Sequence, residues 1–424
     1  MINKKKIQLF LIIPFISIYL YVPYIKISSI SFFTGYVLFF IPWIFLLKKN
    51  KLIIYKENIN ILYLLLFSLS IVCITYLFNI NNSLTTLDLR GLKLHLSIVF
   101  IFLSTYAIYN WLFLELDNNK FLKIIYYSAS VNVVLIIALF MSQDFINIFY
   151  SLIEVNPRIF TYGVPRYSGL PYDGFSYVSV FNAYLFIIGL ILYFEDNNIS
   201  FIEKLILLVF QMFIFISIIF VGRTGFIVIA LGIGMFFLYQ LYTKKLMKKS
   251  NIKKYLYLLG IGIFLVFIGL YVIDYLGMNW YIEWAFSFIN NLFIDGSKDS
   301  SVNELVQNHY FLPNSIVDLL IGISDFHSTE QSTYHSDVGY VIYIYGTGLI
   351  GIFAFLFILF RILFDTFRYF EHDKAIGFLI IFIILSLLII NFKDFYIFYP
   401  YSHYILLFLL LMKFNSNKRI NREK

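Results

Sequence analysis

Long apolar stretches alternate along this chain with short polar ones. Nearly uninterrupted apolar runs fall at residues 7–25, 30–47, 59–78, 94–114, 121–141, 175–194, 205–221, 225–242, 255–273, 338–360, 375–391 and 395–412. Each approaches the roughly 20 residues that a helix needs to cross the hydrocarbon core of a bilayer. The pattern predicts an all-α polytopic membrane protein with about twelve transmembrane helices. Between Lys204 and Lys244 the apolar pattern runs for 39 residues with a single charge, Arg223, inside it. That length makes two crossings, with Gly222-Arg223-Thr224-Gly225 at the turn between them. Arg223 there is either a snorkelling interfacial arginine or a guanidinium set to hold an anion at the membrane surface.

Two polar connections are long. The first, residues 142–174, carries Pro157, Arg158, Pro165, Arg166, Gly169, Pro171 and Asp173, and loops of this length shaped by Pro and Gly tend to be functional. The second, residues 274–336, opens on Trp280, Trp284, Phe288 and Leu292 at helical spacing, which predicts an interfacial helix. It closes on Leu320-Ile321-Gly322-Ile323-Ser324, His327, and then His335-Ser336-Asp337-Val338-Gly339-Tyr340 at the mouth of the tenth run. The first run follows Lys4-Lys5-Lys6 like the charged start of a signal peptide, but no small-residue cleavage site follows it, so it is expected to stay as an anchor.

Composition agrees with this class. With 61% hydrophobic and 13% charged residues and a mean hydropathy of +0.83, the chain is more apolar than one soluble core of its length requires. The sole cysteine, Cys73, excludes an intrachain disulfide framework. If the N-terminus is cytoplasmic, cytoplasmic connections hold 24 of the 32 Lys and Arg residues, which satisfies the positive-inside rule and puts both termini on that side. The net charge of +8 is thus a topology signal and gives no reason to expect nucleic acid as a partner. The exceptions differ by residue type: only Lys26, Lys93, Lys298 and Lys393 fall outside, whereas Arg90, Arg158, Arg166 and Arg223 do so out of eight arginines. A planar fork of donors suits phosphate better than a lysine point charge does, although some of these arginines can equally pair with lipid headgroups.

No Asp, Glu, Lys or Arg lies near the centre of a predicted span, which argues against an ion-coupled transporter. No phosphate-cradling Gly-rich loop or dinucleotide fingerprint is present, and no cofactor is expected. Asp325, His327, His335 and Asp337 supply metal-ligating groups, but their spacing matches no standard ligand motif, so no metal site is assigned.

Three patches carry a resemblance. Arg166-Tyr167-Ser168-Gly169 after a Pro-rich loop, Gly222-Arg223-Thr224-Gly225 at a helical turn, and His335-Ser336-Asp337-Val338-Gly339-Tyr340 before Gly346, Gly348 and Gly351 resemble the O-antigen polymerase and O-antigen ligase superfamily. The resemblance implies a GT-C-like glycosyltransferase with two long exoplasmic loops, in the bacterial inner membrane. It implies transfer of an oligosaccharide from an undecaprenyl pyrophosphate carrier, with membrane lipids and a chain-length regulator as further partners. For that chemistry Arg223, Arg166, Arg158 and Arg90 are the candidates for the pyrophosphate, where negative charge develops on the leaving group. His335 and Asp337 are the candidate catalytic bases for the acceptor hydroxyl, and Asp173 and His327 are further loop candidates. Asp337 and Ser336 equally fit the cap of the helix that follows, and His335 an ordinary interfacial histidine.

A ligase-type pattern, His335-Ser336 and then Gly346 after nine residues, fits this chain but departs from that family at Leu349. The Arg166 and Asp337 patches are more similar to polymerases, and polymerisation is therefore the expected activity. Ligation is its nearest alternative, and flipping of the lipid-linked glycan is a third.

Overall fold

The computed structural model of the chain describes residues 4–27, 30–49, 56–80, 89–114, 116–157, 165–172, 175–196, 199–243, 306–326, 336–368, 373–396 and 405–411, with scattered positions at 160, 260, 267, 271, 274–275, 277, 280, 370 and 413. Its elements in chain order are α1 (Lys4–Tyr21), β1 (Tyr24–Ile27), β2 (Ile30–Phe33), α2 (Gly35–Lys49), α3 (Lys56–Asn79), α4 (Arg90–Ile108, continued by a π turn over Tyr109–Phe113), α5 (Asn118–Met141), α6 (Gln143–Leu152), β3 (Ile153–Glu154), α7 (Phe175–Glu195), α8 (Phe201–Val221), α9 (Thr224–Tyr242), α10 (Ile316–Ile321), α11 (Gly339–Arg368) and α12 (Lys374–Ile390). Seven helices among the described residues are long and apolar enough to cross a membrane, and shorter apolar helices occur at Ile12–Tyr21, Val37–Leu47 and Lys374–Ile390.

The outward faces of these helices match that reading. Phe353, Phe357, Phe360, Phe364 and Phe367 recur every three or four residues along α11, each about 60% exposed. A stripe of bare phenylalanines on one helix face is a liability in water and is at ease against acyl chains. The protein is a predominantly α-helical, multi-pass membrane protein. The run at 255–273 lies almost wholly outside the described residues, as does the proposed interfacial helix after Trp280.

The chain divides into two compact units, Met1–Leu38 with Glu115–Ile294, and Phe39–Leu114 with Asp295–Lys424. In the first, α7 packs against α5, α8 and α9, and Val178, Val180, Phe181, Ala183, Leu185, Ile187 and Ile188 are fully buried. A helix covered on all sides must be apolar on all sides save where a buried polar group finds a partner, as Asn182 does on the Ser217 hydroxyl at 2.9 Å. Helix α1 lies along α5, where the Tyr21 hydroxyl donates to the Ala129 carbonyl at 2.8 Å. At one end of this unit Lys123 bridges Asp196 (2.8 Å) and Glu203 (2.9 Å). Ser200 caps α8 there by accepting the Glu203 N–H, so the sequence Ser200-Phe201-Ile202-Glu203 serves both as helix start and as ion-pair platform.

The other end of the unit carries structure that the apolar runs did not predict. Tyr24–Ile27 and Ile30–Phe33 form an antiparallel hairpin, and Ile153–Glu154 adds a third strand beside β1. Aromatic and β-branched residues dominate the hairpin, which favours a pleated half-buried surface over helix. A hydropathy pattern registers only that these residues are apolar. The Lys26 ammonium donates to the Tyr150 carbonyl at 2.9 Å and ties the hairpin to α6.

In the second unit α3 packs on α4 and α11, and α11 on α10 and α12. Helix α11 is broken at Gly348, whose φ of 66° and ψ of −173° are open only to glycine. A Cβ at Gly348 would run into the Leu320 carbonyl and sit 2.5 Å from the Ile321 nitrogen. The turn after α10, made at Gly322 with φ +82°, therefore fills the break. Hydrogen bonds close it: Ile323 N–H to the Tyr345 carbonyl at 2.7 Å, and the Asn79 amide to the Gly322 carbonyl at 3.0 Å. Carbonyls and N–H groups freed inside a bilayer need such internal partners.

Candidate functional site

Arg223 stands between two helices, at the N-cap position of α9, and is half-buried. What fixes it is Ser179, a fully buried residue on α7. The Ser179 hydroxyl accepts the Gly225 N–H at 2.9 Å and donates to the Gly222 carbonyl, gripping the turn on both sides of Arg223. Such close approach requires glycine at 225, since a Cβ there would lie 2.6 Å from the Ser179 carbonyl oxygen and nearer still to its hydroxyl. The Gly-Arg-Thr-Gly patch is thus the imprint of a helix turn pressed against a third helix.

Arg166 belongs to the same end of the same unit. It too is half-buried, in a segment held by Asn132 of α5. The Asn132 amide donates to the Ser168 carbonyl at 3.0 Å and its oxygen accepts the Leu170 N–H at 2.7 Å. The adjoining Tyr167 ring lies 4.7 Å from Phe140, which stacks on Phe220 at 4.0 Å, three residues before Arg223. One buried cluster, Ile136, Phe140, Val178, Ile219, Phe220 and Val221, has Tyr167 and Phe226 packed against it. Two arginines 57 positions apart in sequence therefore stand next to residues of one apolar cluster. Around Tyr167 lie Tyr150 and Phe160, both with ring centroids 6.3 Å away. Burial pushes the Tyr150 and Tyr167 phenols further up from a pKa that already lies above neutrality, so both are neutral hydroxyls at neutral pH.

In the second unit Arg90 opens α4 and is half-buried. Asp337 is exposed at the entrance to α11, and its backbone N–H donates to His309 Nδ1 at 3.0 Å. Ser336 accepts the Val338 N–H at 3.1 Å and donates to the His309 carbonyl at 2.8 Å. Ser336 therefore ties the turn just ahead of α11 to the His309 backbone. His309 Nδ1 is thus engaged as an acceptor. His309 is buried and did not stand out in the sequence, because it lies 28 positions from Asp337 along the chain.

A second buried histidine, His95, lies within a membrane-length helix. His95 on α4 donates from Nδ1 to the Gly91 carbonyl at 2.9 Å, and its Nε2 faces the Tyr343 hydroxyl at 3.4 Å. Phe326, arriving from the turn after α10, lies edge-on to the His95 ring with centroids 6.2 Å apart. His95 and Tyr343 thus sit beside the broken part of α11.

Arg158, Asp173, His327 and His335 lie outside the described residues. Among the described residues no group of three or more His, Cys, Asp or Glu side chains is gathered in a way that could hold a metal ion. The arrangement offers half-buried guanidinium groups and neutral phenols at one end of the first unit, and a histidine held by backbone groups in the second. No family model matches the chain, and none of the curated proteins matches it.

Proposed function

We propose that this protein is a membrane glycosyltransferase that polymerises undecaprenyl-pyrophosphate-linked oligosaccharide repeat units at the outer face of the bacterial inner membrane. The observation that carries this reading is that the segments bearing Arg166 and Arg223 pack on one apolar cluster at a single end of a helical unit, through Tyr167 and through Phe220 and Val221. Loss of a lipid pyrophosphate leaves negative charge at membrane-surface depth, and preorganised guanidinium groups stabilise such charge without reorganising. The resemblance of the Arg166, Arg223 and Asp337 patches to O-antigen polymerases supplies the substrate class. Arg223 and Arg166 bind pyrophosphate in this proposal, with Arg158 and Arg90 as further arginine candidates. His335, Asp337 and now His309 are the residues to test for the acid–base step.

The decisive variant is Arg223→Lys, which keeps the charge and removes the fork. In cells that depend on this chain for their surface polysaccharide, the variant should accumulate normally in the membrane while the glycan shrinks toward a single repeat unit. A full-length ladder at normal protein level would refute the pyrophosphate role of Arg223. Complete loss of the gene separates the alternatives. Surface chains of one repeat unit indicate a missing polymerase, an acceptor with no glycan a missing ligase, and repeat units stranded inside the cell a missing flippase. The spacing from His335-Ser336 to Gly346 is what keeps ligation as the second reading.

A further inference from the structure

Helix α6 presents three kinds of surface around its circumference. At about 100° per residue, Gln143, Asn147 and Ser151 form one exposed polar lane. Ile146 and Phe149 form a buried lane, packed with Leu139, Ile153 and Val155 in one cluster. Between these two, continuing the apolar arc, Phe145 is half-buried while Ile148 and Leu152 stand 62% and 57% exposed. The apolar face of this ten-residue helix is therefore wider than the protein surface that covers it.

We propose that α6 is an interfacial anchor, with Ile148 and Leu152 sunk into the boundary between headgroups and acyl chains of the bilayer that the protein spans. Three observations point to lipid as the occupant. The open lane follows directly on α5, a membrane-length helix whose last residue, Met141, is 67% exposed, so the lipid-facing surface of the bundle runs onto α6. Ten residues are too few to span, and Ser142 breaks the chain direction with an extended φ of −146°, as a helix turning out of the bilayer requires. Asp144 is the only charge on the helix and lies in its first turn, so nothing but apolar side chains separates Phe145 from Leu152 along the open lane. The anchor would hold the Tyr150 carbonyl, and through it Lys26 and the β1–β2 hairpin, at headgroup depth. This inference rests on the fold alone and stands whether or not the glycosyl-transfer reading does.

Single cysteines at Ile148, Leu152 and Asn147, each with Cys73→Ser, allow an environment-sensitive fluorophore to be attached to the full chain in lipid nanodiscs. All three positions are exposed, so the substitutions leave the core intact. The expected result is blue-shifted emission at 148 and 152, quenched by lipids brominated near the headgroup end of the acyl chain, with water-like unquenched emission at 147. Water-like emission at all three positions would overturn the proposal. So would a blue shift at 148 and 152 that brominated lipid fails to quench, because that lane would then be covered by protein.

Discussion

At the scale of single residues, the turn around Arg223 shows how little freedom the site has. Ser179 touches both the carbonyl that closes one helix and an early N–H of the next, so the Arg223 backbone inherits the rigidity of three packed helices. Gly225→Ala should therefore destabilise the protein by about 1–3 kcal/mol through overpacking. Gly234→Ala, on the same helix and with nothing within 4 Å of the added methyl, should be neutral or slightly stabilising. Thermal unfolding of the two variants side by side in detergent tests this, and equal stability would show that Ser179 yields. The Gly222-Arg223-Thr224-Gly225 pattern was legible in the sequence as a turn. Its clamp was not, since Ser179 is one unremarkable serine 44 positions upstream. The same holds for Asn132, whose grip on Ser168 and Leu170 spans 36 to 38 residues.

At the scale of elements, hydropathy located the helices well and their interruptions poorly. The run at 338–360 became a 30-residue helix broken at Gly348, because an average over apolar residues does not register one dihedral angle. Gly346, Gly348 and Gly351 were visible, but their purpose depends on the backbone of residues 320–322, which α10 delivers to the break. Gly348→Ala should cost at least about 1–3 kcal/mol from its backbone strain, with the clash against Leu320 in addition. A large loss of folded, monodisperse protein on size-exclusion chromatography is the expected outcome, and wild-type behaviour would mean that the break re-forms as continuous helix. Polar side chains in this region serve the backbone: Asn79 and Thr347 spend their groups on neighbouring carbonyls.

At the scale of the whole molecule, charge placement makes a prediction about sidedness. The lysines that cluster from Lys244 to Lys254 should face the cytoplasm, and α6 the opposite side. With Cys73→Ser as background, Asn147→Cys should react with a membrane-impermeant maleimide in intact cells, whereas Lys248→Cys should react only after permeabilisation. The reverse pattern would invert the topology and with it the exoplasmic placement of Arg166 and Arg223. Lys26 and Lys123 show that individual charges also carry structural duties, the first on a strand and the second between two carboxylates. A positive-inside count treats each lysine alike and so cannot separate these duties from topology.

What the sequence determined by itself is the solvent of this protein. Runs of about 20 apolar residues have no stable place in water, and this follows from side-chain transfer energies that are local and additive. The sequence also marked Arg166 and Arg223 as exceptions, because charge is a property of each residue alone. The tertiary structure decided what lies near those exceptions: the segments that carry Arg166 and Arg223 pack together through Tyr167, Phe140 and Phe220, and the Asp337 N–H reaches His309. Such proximities depend on which helix faces pack together, and that choice is made by side-chain shape between segments far apart in the chain, where no local pattern registers it.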